Sequence, residues 1–305
     1  MAVAARVETG ERGEQRHVRR VNGRDLWAWA GIVPFALFIT AFLLWPAASI
    51  VTQSFEGPNR RFTLANLAKL GDPNIRASYL YTFELSAVTA LGGGLLGCLL
   101  AYAVTTGRLP RWIRSALLSF SGVASNFAGI PLAFAFIATL GNLGLVNTVL
   151  KNFGLSLRAL NFNLYSFLGL ALTYTYFQIP LMVLVMAPTF DGLKREWGEA
   201  AASLGATDAQ YWRHVGVPVL LPSVLGAMVL LFGNAFGAHA TAFALTGGGG
   251  GTKVVTILIG AQLSGDAKTN PGLGNAMAVG MIGVMSLTIV AYAVLGRLAA
   301  RWTRR

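Results

Sequence analysis

Long apolar stretches with almost no charge are the feature that most limits how this chain can fold. Six such windows reach the roughly 20 residues that a helix needs to cross about 30 Å of hydrocarbon. They are residues 27–52, 85–105, 115–140, 165–188, 219–245 and 276–296. Lipid offers no hydrogen-bond partners to an open chain, so such segments must be helices. The sequence therefore predicts an all-α integral membrane protein with six transmembrane helices.

The composition is unlike that of a soluble domain. Charged residues make up 12% of the chain and apolar ones 54%, with a mean hydropathy of +0.58, whereas soluble domains carry about 25% charged residues. The net charge of +12 would suggest a nucleic-acid partner in a soluble protein. Here the basic residues gather at the ends of apolar runs, where they set topology and contact anionic headgroups. The single cysteine, Cys98, excludes an intrachain disulfide and a cysteine-based metal site.

The distribution of Lys and Arg predicts the orientation in the membrane. Residues 1–26 are hydrophilic, and the apolar stretch after them is too long for the core of a cleaved signal peptide. We therefore expect a cytoplasmic tail followed by an uncleaved first span. With the N-terminus inside, the cytoplasmic segments carry sixteen Lys and Arg residues and the outer segments carry eight. This excess predicts that both termini are cytoplasmic, with the six-helix domain over 27–300 between the tail and a cytoplasmic C-terminal end at 301–305.

The segment 190–218, between the fourth and fifth windows, is then a cytoplasmic loop with dense helix signals. Residues 197–204 are mostly strong helix formers, and Gly205 is a suitable terminator. Thr207, followed three residues later by Gln210, is a capping box that begins a second short helix. Periodicity alone leaves two interpretations open: an amphipathic helix lying on the membrane surface, or a compact, rigid projection that contacts a partner protein.

The same loop resembles the EAA motif, EAA-x3-G-x9-I-x-L-P, of permease subunits of type I ATP-binding-cassette (ABC) importers. Five residues match at the expected spacing: Glu199, Ala200, Ala201, Gly205 and Pro218. Two positions depart from the motif, Val215 in place of Ile and Val217 in place of Leu, and both keep its apolar character. The resemblance covers residues 27–300 and implies the six-helix permease fold of type I importers.

In that family this loop is the coupling helix, which docks in a cleft of the ATPase subunit. The resemblance implies that Glu199 is the charged anchor, that Ala200 and Ala201 form the close-approach surface, and that Gly205 makes the turn. It also implies a non-enzymatic chain in the bacterial inner membrane, without a cofactor of its own. Its partners would be a second permease (a sister subunit or a copy), two ATPase subunits that bind ATP and Mg, and an extracytoplasmic solute-binding protein.

Polar residues within or near the apolar windows are candidates for a substrate pathway. They are Glu84, Tyr174, Gln178, Asn234 and His239. Polar groups inside a membrane are often functional, but hydrogen bonds between helices are the competing explanation. Both remain open from sequence. For Glu84, near the outer end of the second span, simple solvation is a further alternative.

No pattern of catalytic or metal-ligating residues is visible in the sequence. The run GGGGGTK at 247–253 lacks the glycine before the lysine and the hydroxyl residue after it that a phosphate-binding loop requires, so we interpret it as a connector. No cluster of His, Asp and Glu has the spacing of a metal site, and no nucleophile–base pair is recognisable. We interpret Gly93 and Gly97, with Ala276 and Gly280, as helix-packing faces.

Two further expectations concern local structure. Pro131, Pro180 and Pro188 are predicted to kink helices, because proline removes one backbone hydrogen bond and crowds the preceding turn. The apolar run 254–263 is too short to span a bilayer. It is therefore predicted to be an interfacial or surface helix.

The substrate is indicated only by a subfamily resemblance. The stretches LTGGGGGTKVVTILIGAQL and NPGLGNAMAVG resemble permeases for polyamines and related small solutes such as phosphonates. The resemblance implies putrescine or spermidine, with an aminophosphonate, ferric iron or a sugar as alternatives. A membrane enzyme or a scaffold without a transport role is the rival class, and neither explains the 190–218 loop.

Overall fold

The structure is a computed structural model that describes residues 32–57, 61–107, 109–247, 253–264 and 270–303. Helices dominate these residues, and the one β feature among them is an isolated antiparallel bridge between Glu56 and Phe62. The helices of seven or more residues are α1 (Ile32–Ser54), α2 (Pro73–Thr106), α3 (Arg111–Asn126), α4 (Ile130–Leu140), α5 (Leu145–Asn152), α6 (Phe167–Asp191), α7 (Arg195–Ser203), α8 (Asp208–Gly237), α9 (Ala240–Thr246), α10 (Val255–Leu263) and α11 (Pro271–Thr303).

Six helical segments in this part of the chain are long and apolar enough to cross a membrane. They are Ile32–Ser54, Pro73–Thr106, Ile130–Asn152, Phe167–Asp191, Asp208–Gly237 and Pro271–Arg297. The prediction of an all-α protein with six apolar spans is therefore confirmed.

The chain divides into two compact units, residues 1–49 and 50–305. In the first unit, the described residues 32–49 are helical, and large apolar side chains such as Phe42 and Trp45 are exposed. A helix without a charged residue and with exposed apolar side chains is suited to hydrocarbon as its solvent. The predicted tail at 1–26 lies outside the described residues.

In the second unit, α6 is the most buried of the six spans. It packs against α2, α3 and α8, and α11 packs against α8. Glycines allow the closest of these approaches. A Cβ atom on Gly97 of α2 would lie 2.6 Å from the carbonyl oxygen of Ile179, and one on Gly93 would overlap the side chain of Gln178. The predicted packing face of α2 is thus confirmed.

The corresponding face of α11 is also a packing face. Ala276 is fully buried, and a Cβ atom on Gly280 would lie 2.7 Å from the hydroxyl of Tyr79. Pro180 and Pro188 lie inside α6, which continues through both. A kink at either proline stays a prediction.

The third predicted span has different boundaries from those expected. Residues 115–140 do not form one helix, because α3 ends at Asn126 and α4 begins at Ile130. Gly129 between them has a φ of 73°, a conformation that glycine adopts without steric cost. Pro131 lies in the first turn of α4, where its missing N–H is not needed. It therefore begins a helix and does not kink one.

The window 219–245 is also interrupted. α8 ends at Gly237 and α9 begins at Ala240. Backbone outside a helix is tolerated at membrane depth only where protein or a cavity satisfies its polar groups. Here the carbonyl oxygen of Ala238 accepts hydrogen bonds from Tyr174 Oη at 2.9 Å and from Thr256 Oγ1 at 3.4 Å.

The prediction of a surface helix at 254–263 was wrong. α10 packs against α11 and α2, and Val255 and Ile257 are buried. The backbone N–H of Val255 donates to Thr82 Oγ1 at 2.9 Å. Neighbouring helices cover the apolar side chains that were expected to rest on the membrane surface. Of the glycine run at 247–253, Gly247 ends α9 and residues 248–252 lie outside the described part.

Candidate coupling loop and transmembrane pocket

Two helices joined at a glycine form the loop between α6 and the fifth span. α7 covers Arg195–Ser203, and Gly205 follows with a φ of 79°. The predicted capping box is present: Thr207 Oγ1 accepts from the Gln210 N–H at 3.3 Å, and Gln210 Oε1 accepts from the Thr207 N–H at 2.8 Å. These contacts confirm the predicted helix–glycine–helix arrangement of the loop.

The motif residues on α7 are directed largely to solvent. The side chain of Glu199 is 72% exposed, and its one charged neighbour among the described residues is Arg195, 3.9 Å away. Ala200 is exposed, Ala201 is half-buried, and Leu204 is 89% exposed. We call Glu199, Ala200, Ala201 and Leu204 the coupling surface. A carboxylate and two small residues on α7, with an exposed leucine directly after its end, offer both charge and apolar contact to a partner.

A cleft of about 770 Å³ lies beside α7, between it and the ends of α2, α6 and α8. Aromatic side chains line its base. The ring centroid of Tyr102 lies 5.3 Å from that of Trp212 and 5.7 Å from that of Phe190. This cluster brings together side chains of α2, α6 and α8 at the ends of α6 and α8 that the loop connects.

Pro218 does not separate the loop from the fifth span. α8 runs without interruption from Asp208 and contains a π-helical turn at Trp212–Gly216, which ends two residues before Pro218. Proline has no N–H to donate and crowds the turn before it, and a π turn changes the hydrogen-bonding register at that point. Gly216 is required there because a Cβ atom would lie 2.5 Å from the indole of Trp212. The second short helix of the loop is thus the first part of the span itself.

The two helix breaks meet inside the second unit. The backbone N–H of Gly129, at the α3–α4 break, donates to Thr241 Oγ1, just after the α8–α9 break, at 2.8 Å. A pocket of about 360 Å³ opens beside this contact, and its polar lining includes Ser125, Asn234, His239 and Thr241. Among the described residues that line it, none carries a carboxylate. Ser125 and Gly129 were not selected from the sequence, although the Gly–Ile–Pro run at 129–131 is a local signal for the break.

The structure brings together only some of the predicted pathway residues. Asn234 and His239 lie exposed at this pocket. Tyr174 and Gln178 are fully buried, and each donates a hydrogen bond to a backbone carbonyl in α8 or directly after its end. Tyr174 Oη donates to the Ala238 carbonyl, and Gln178 Nε2 donates to the Leu231 carbonyl, both at 2.9 Å.

Glu84 lies on the exposed face of α2 and is not among the residues that line the pocket. The contacts of Tyr174 and Gln178 favour the helix-packing alternative for those two residues. A pathway role for Asn234 and His239 stays a prediction.

Comparison with known proteins gives the class. Residues 93–304, more than half of the chain, match the family described as binding-protein-dependent transport system inner membrane component, and the chain belongs to that family. The sulfate transport system permease protein CysT of Salmonella typhimurium is 26% identical over 230 residues, which cover 74% of this chain and 78% of that protein. The molybdenum transport system permease protein ModB of Mycobacterium bovis is 25% identical over 225 residues, which cover 73% and 80%.

A solved structure shows the same fold. It is that of a bacterial ABC transporter involved in the import of the acidic polysaccharide alginate, with a TM-score of 0.67 and 17% sequence identity. The similarity covers 92% of this chain and 96% of that chain.

The protein is thus a permease subunit of an ABC importer, a multi-pass protein of the inner membrane that works with a solute-binding protein. Permeases of this family are transport subunits and not enzymes; they carry no cofactor, and separate subunits bind ATP. The predicted class is confirmed. The narrower expectation of a polyamine or phosphonate permease finds no support, because these relatives are named for sulfate and molybdenum.

Proposed function

We propose that this permease imports a small oxyanion and that the pocket at the two helix breaks is part of its pathway. The observation that carries the proposal is the chemistry of the pocket lining. Asn234, His239, Ser125 and Thr241 offer amide, imidazole and hydroxyl groups, without a carboxylate among the described lining residues. Such groups can donate hydrogen bonds to an anion. A desolvated polyamine would need acidic partners, because an unpaired charge is costly to bury.

Two further observations support an anionic substrate over putrescine or spermidine. The relatives include a sulfate permease, and the structural neighbour belongs to a transporter for an acidic polysaccharide. Glu84, the one acid on which a cationic substrate would depend, lies away from the pocket on the exposed face of α2. The alternative substrates, an aminophosphonate, ferric iron or a sugar, are included in the uptake test described below.

The complete importer, in this proposal, contains a second permease subunit, two ATPase subunits and an extracytoplasmic solute-binding protein. The exposure of Asn234 and His239 in the single chain leaves one side of the pocket open for a second permease to close. The chain is oriented with both termini in the cytoplasm, as the distribution of Lys and Arg indicates. This places α7 on the side of the ATPases.

The coupling surface docks on an ATPase subunit in this proposal, with Glu199 as the charged anchor. Closure of the ATPases on ATP draws α7 with it. α8 then carries the movement inward, because the same helix starts in the loop and ends at the pocket. Its 30 residues span about 45 Å, enough to connect the cytoplasmic surface with the middle of the membrane.

Uptake measurements in cells with and without the transporter test the substrate. Radiolabelled sulfate, molybdate, an aminophosphonate, ferric iron, a neutral sugar and putrescine are offered separately. We expect uptake of an oxyanion, and a loss of roughly 10- to 150-fold in Asn234→Ala and His239→Ala, the effect of one hydrogen bond to a charged group. Asn152→Ala is the matched control, since this exposed amide lies at the end of α5. Putrescine uptake without oxyanion uptake would overturn the proposed substrate.

A further inference from the structure

One ion pair among the described residues joins two different helices. It links Arg114 in the first turn of α3 to Asp191, the last residue of α6. Both carboxylate oxygens accept hydrogen bonds from Arg114 Nη2, at 2.7 and 2.6 Å. Charge-assisted hydrogen bonds of this length are among the strong ones in proteins. The side chains are 37% and 47% exposed, so water screens the pair only in part.

Asp191 lies at the base of the coupling loop. Three residues separate it from Arg195, where α7 begins, and Asp191 itself lines the cleft beside α7. The connection is short, and hydrogen bonds tie its two ends to the helices: the N–H of Gly192 donates to the carbonyl of Pro188 in α6, and the N–H of Trp197 in α7 donates to the carbonyl of Lys194. A displacement of α7 therefore acts on the end of α6 that Arg114 holds.

Arg114 connects this point to the pocket. α3 packs along α6 and contains 16 residues, about 24 Å of helix. Its far end is Asn126, next to the break where the N–H of Gly129 donates to Thr241 Oγ1. A rigid helix thus has the base of the coupling loop at one end and the helix-break pocket at the other.

From this geometry we infer that Arg114 and Asp191 are positioning residues that transmit the movement of α7 through α3 to the pocket. Apolar contact alone lets packed helices slide past each other in small shear movements. A short hydrogen-bonded ion pair fixes the two helices at their cytoplasmic ends, so that α3 follows α6. The inference rests on the proposed coupling role of α7, and it adds a second route beside α8.

A purely stabilising role is the alternative, and the readout must separate the two. The pocket residue Ser125 offers such a readout, since Ser125→Cys in a Cys98→Ser background places one thiol at the pocket. Its rate of reaction with a maleimide is measured in the whole transporter, in proteoliposomes, before and after trapping the ATPases with ATP and vanadate. The change in rate on trapping reports movement of the pocket and needs no knowledge of the solute.

The variants are Arg114→Gln, Asp191→Asn and the swap of Arg114→Asp with Asp191→Arg. Arg111→Gln is the matched control, because Arg111 is also in the first turn of α3 and has no ion pair among the described residues. We expect both single variants to retain their ATPase subunits and to hydrolyse ATP. The change in labelling should fall by about 2- to 30-fold. The swap should restore it, and the control should not differ from the parent.

Three results would overturn the inference. They are a full change in labelling in both single variants, a swapped pair that folds but restores nothing, and a loss in Arg111→Gln equal to that in Arg114→Gln. Detergent-extracted yield and melting temperature identify variants that fail to fold. If a single variant does not fold, the test rests on the change in labelling of the swapped pair. Glu199→Lys separates this inference from the proposed function: if that variant keeps its ATPase subunits, the docking of α7 is wrong, whatever the pair does.

Discussion

Reversing the charge of Glu199 should release the ATPase subunits from a permease that is still folded. In the free chain the Glu199 side chain is 72% exposed, and its partner Arg195, at 3.9 Å, is 94% exposed. An exposed pair one helical turn apart contributes about 0.3–0.5 kcal/mol, and salt screens it further. Loss of this pair therefore changes the free energy of unfolding very little, and membrane insertion should be normal.

The expected loss at the docked surface is much larger. If the carboxylate meets a basic group in a partly desolvated cleft of the ATPase, removing it leaves that group unpaired, at a cost of about 2–5 kcal/mol. This corresponds to roughly 30- to 5,000-fold weaker binding of the ATPase. Glu199→Asp keeps the charge and should do least damage, Glu199→Ala should be intermediate, and Glu199→Lys should be worst because it forces like charges together.

The assay is recovery of ATPase subunits on affinity-purified permease, normalised to permease, together with solute uptake. Arg195→Ala is the matched control, since it removes the same intrahelical pair but leaves the carboxylate of Glu199 in place. We expect Arg195→Ala to retain the ATPase. Full retention and normal transport in Glu199→Lys would refute docking at this surface. Equal losses in Arg195→Ala and Glu199→Ala would instead assign the effect to the intrahelical pair.

Three further variants test the helix packing, the role of Pro218 and the topology. Gly97→Ala should lower the melting temperature, at a cost of about 1–3 kcal/mol for overpacking, because the added methyl would lie 2.6 Å from a carbonyl oxygen of α6. Gly92→Ala, with nothing within 4 Å, should be neutral or slightly stabilising, and equal losses would contradict the packing argument. Pro218→Ala lets the π turn relax, so expression should persist while ATPase activity depends less on the binding protein; unchanged dependence would show that the proline has no role in coupling. In a background without the native cysteine, Lys253→Cys should label from outside and Asp208→Cys only after permeabilisation, and labelling of both from one side would contradict the topology.

The sequence by itself determined the features that depend on neighbours close along the chain. The length of an apolar stretch indicates directly whether that segment lies in lipid. The six-span class could therefore be predicted without knowledge of any contact between helices. The loop is equally local. Thr207 and Gln210 are three residues apart, and Gly205 turns the backbone between two helices through its own φ. Each of these features is complete within one or two helical turns.

Only the tertiary structure decided where helices break and which polar residues are used in packing. Gly129 and Thr241 are 112 residues apart in the chain, and Arg114 and Asp191 are 77 apart. The sequence of 219–245 is predominantly apolar, with His239 as its one ionisable residue, so its length predicts one span. At the break, Tyr174 and Thr256 donate hydrogen bonds to the carbonyl of Ala238, and neither partner is close to it in the sequence.

The same reason explains the wrong prediction for α10. A short apolar segment can be covered by lipid headgroups or by other helices, and its composition is the same in both cases. Here contacts with α2 and α11 bury Val255 and Ile257, and Thr82 accepts a backbone N–H that would otherwise have no partner. Burial by helices that are distant in the chain cannot be predicted from the local sequence, because the groups that pair with the backbone are brought together only by folding.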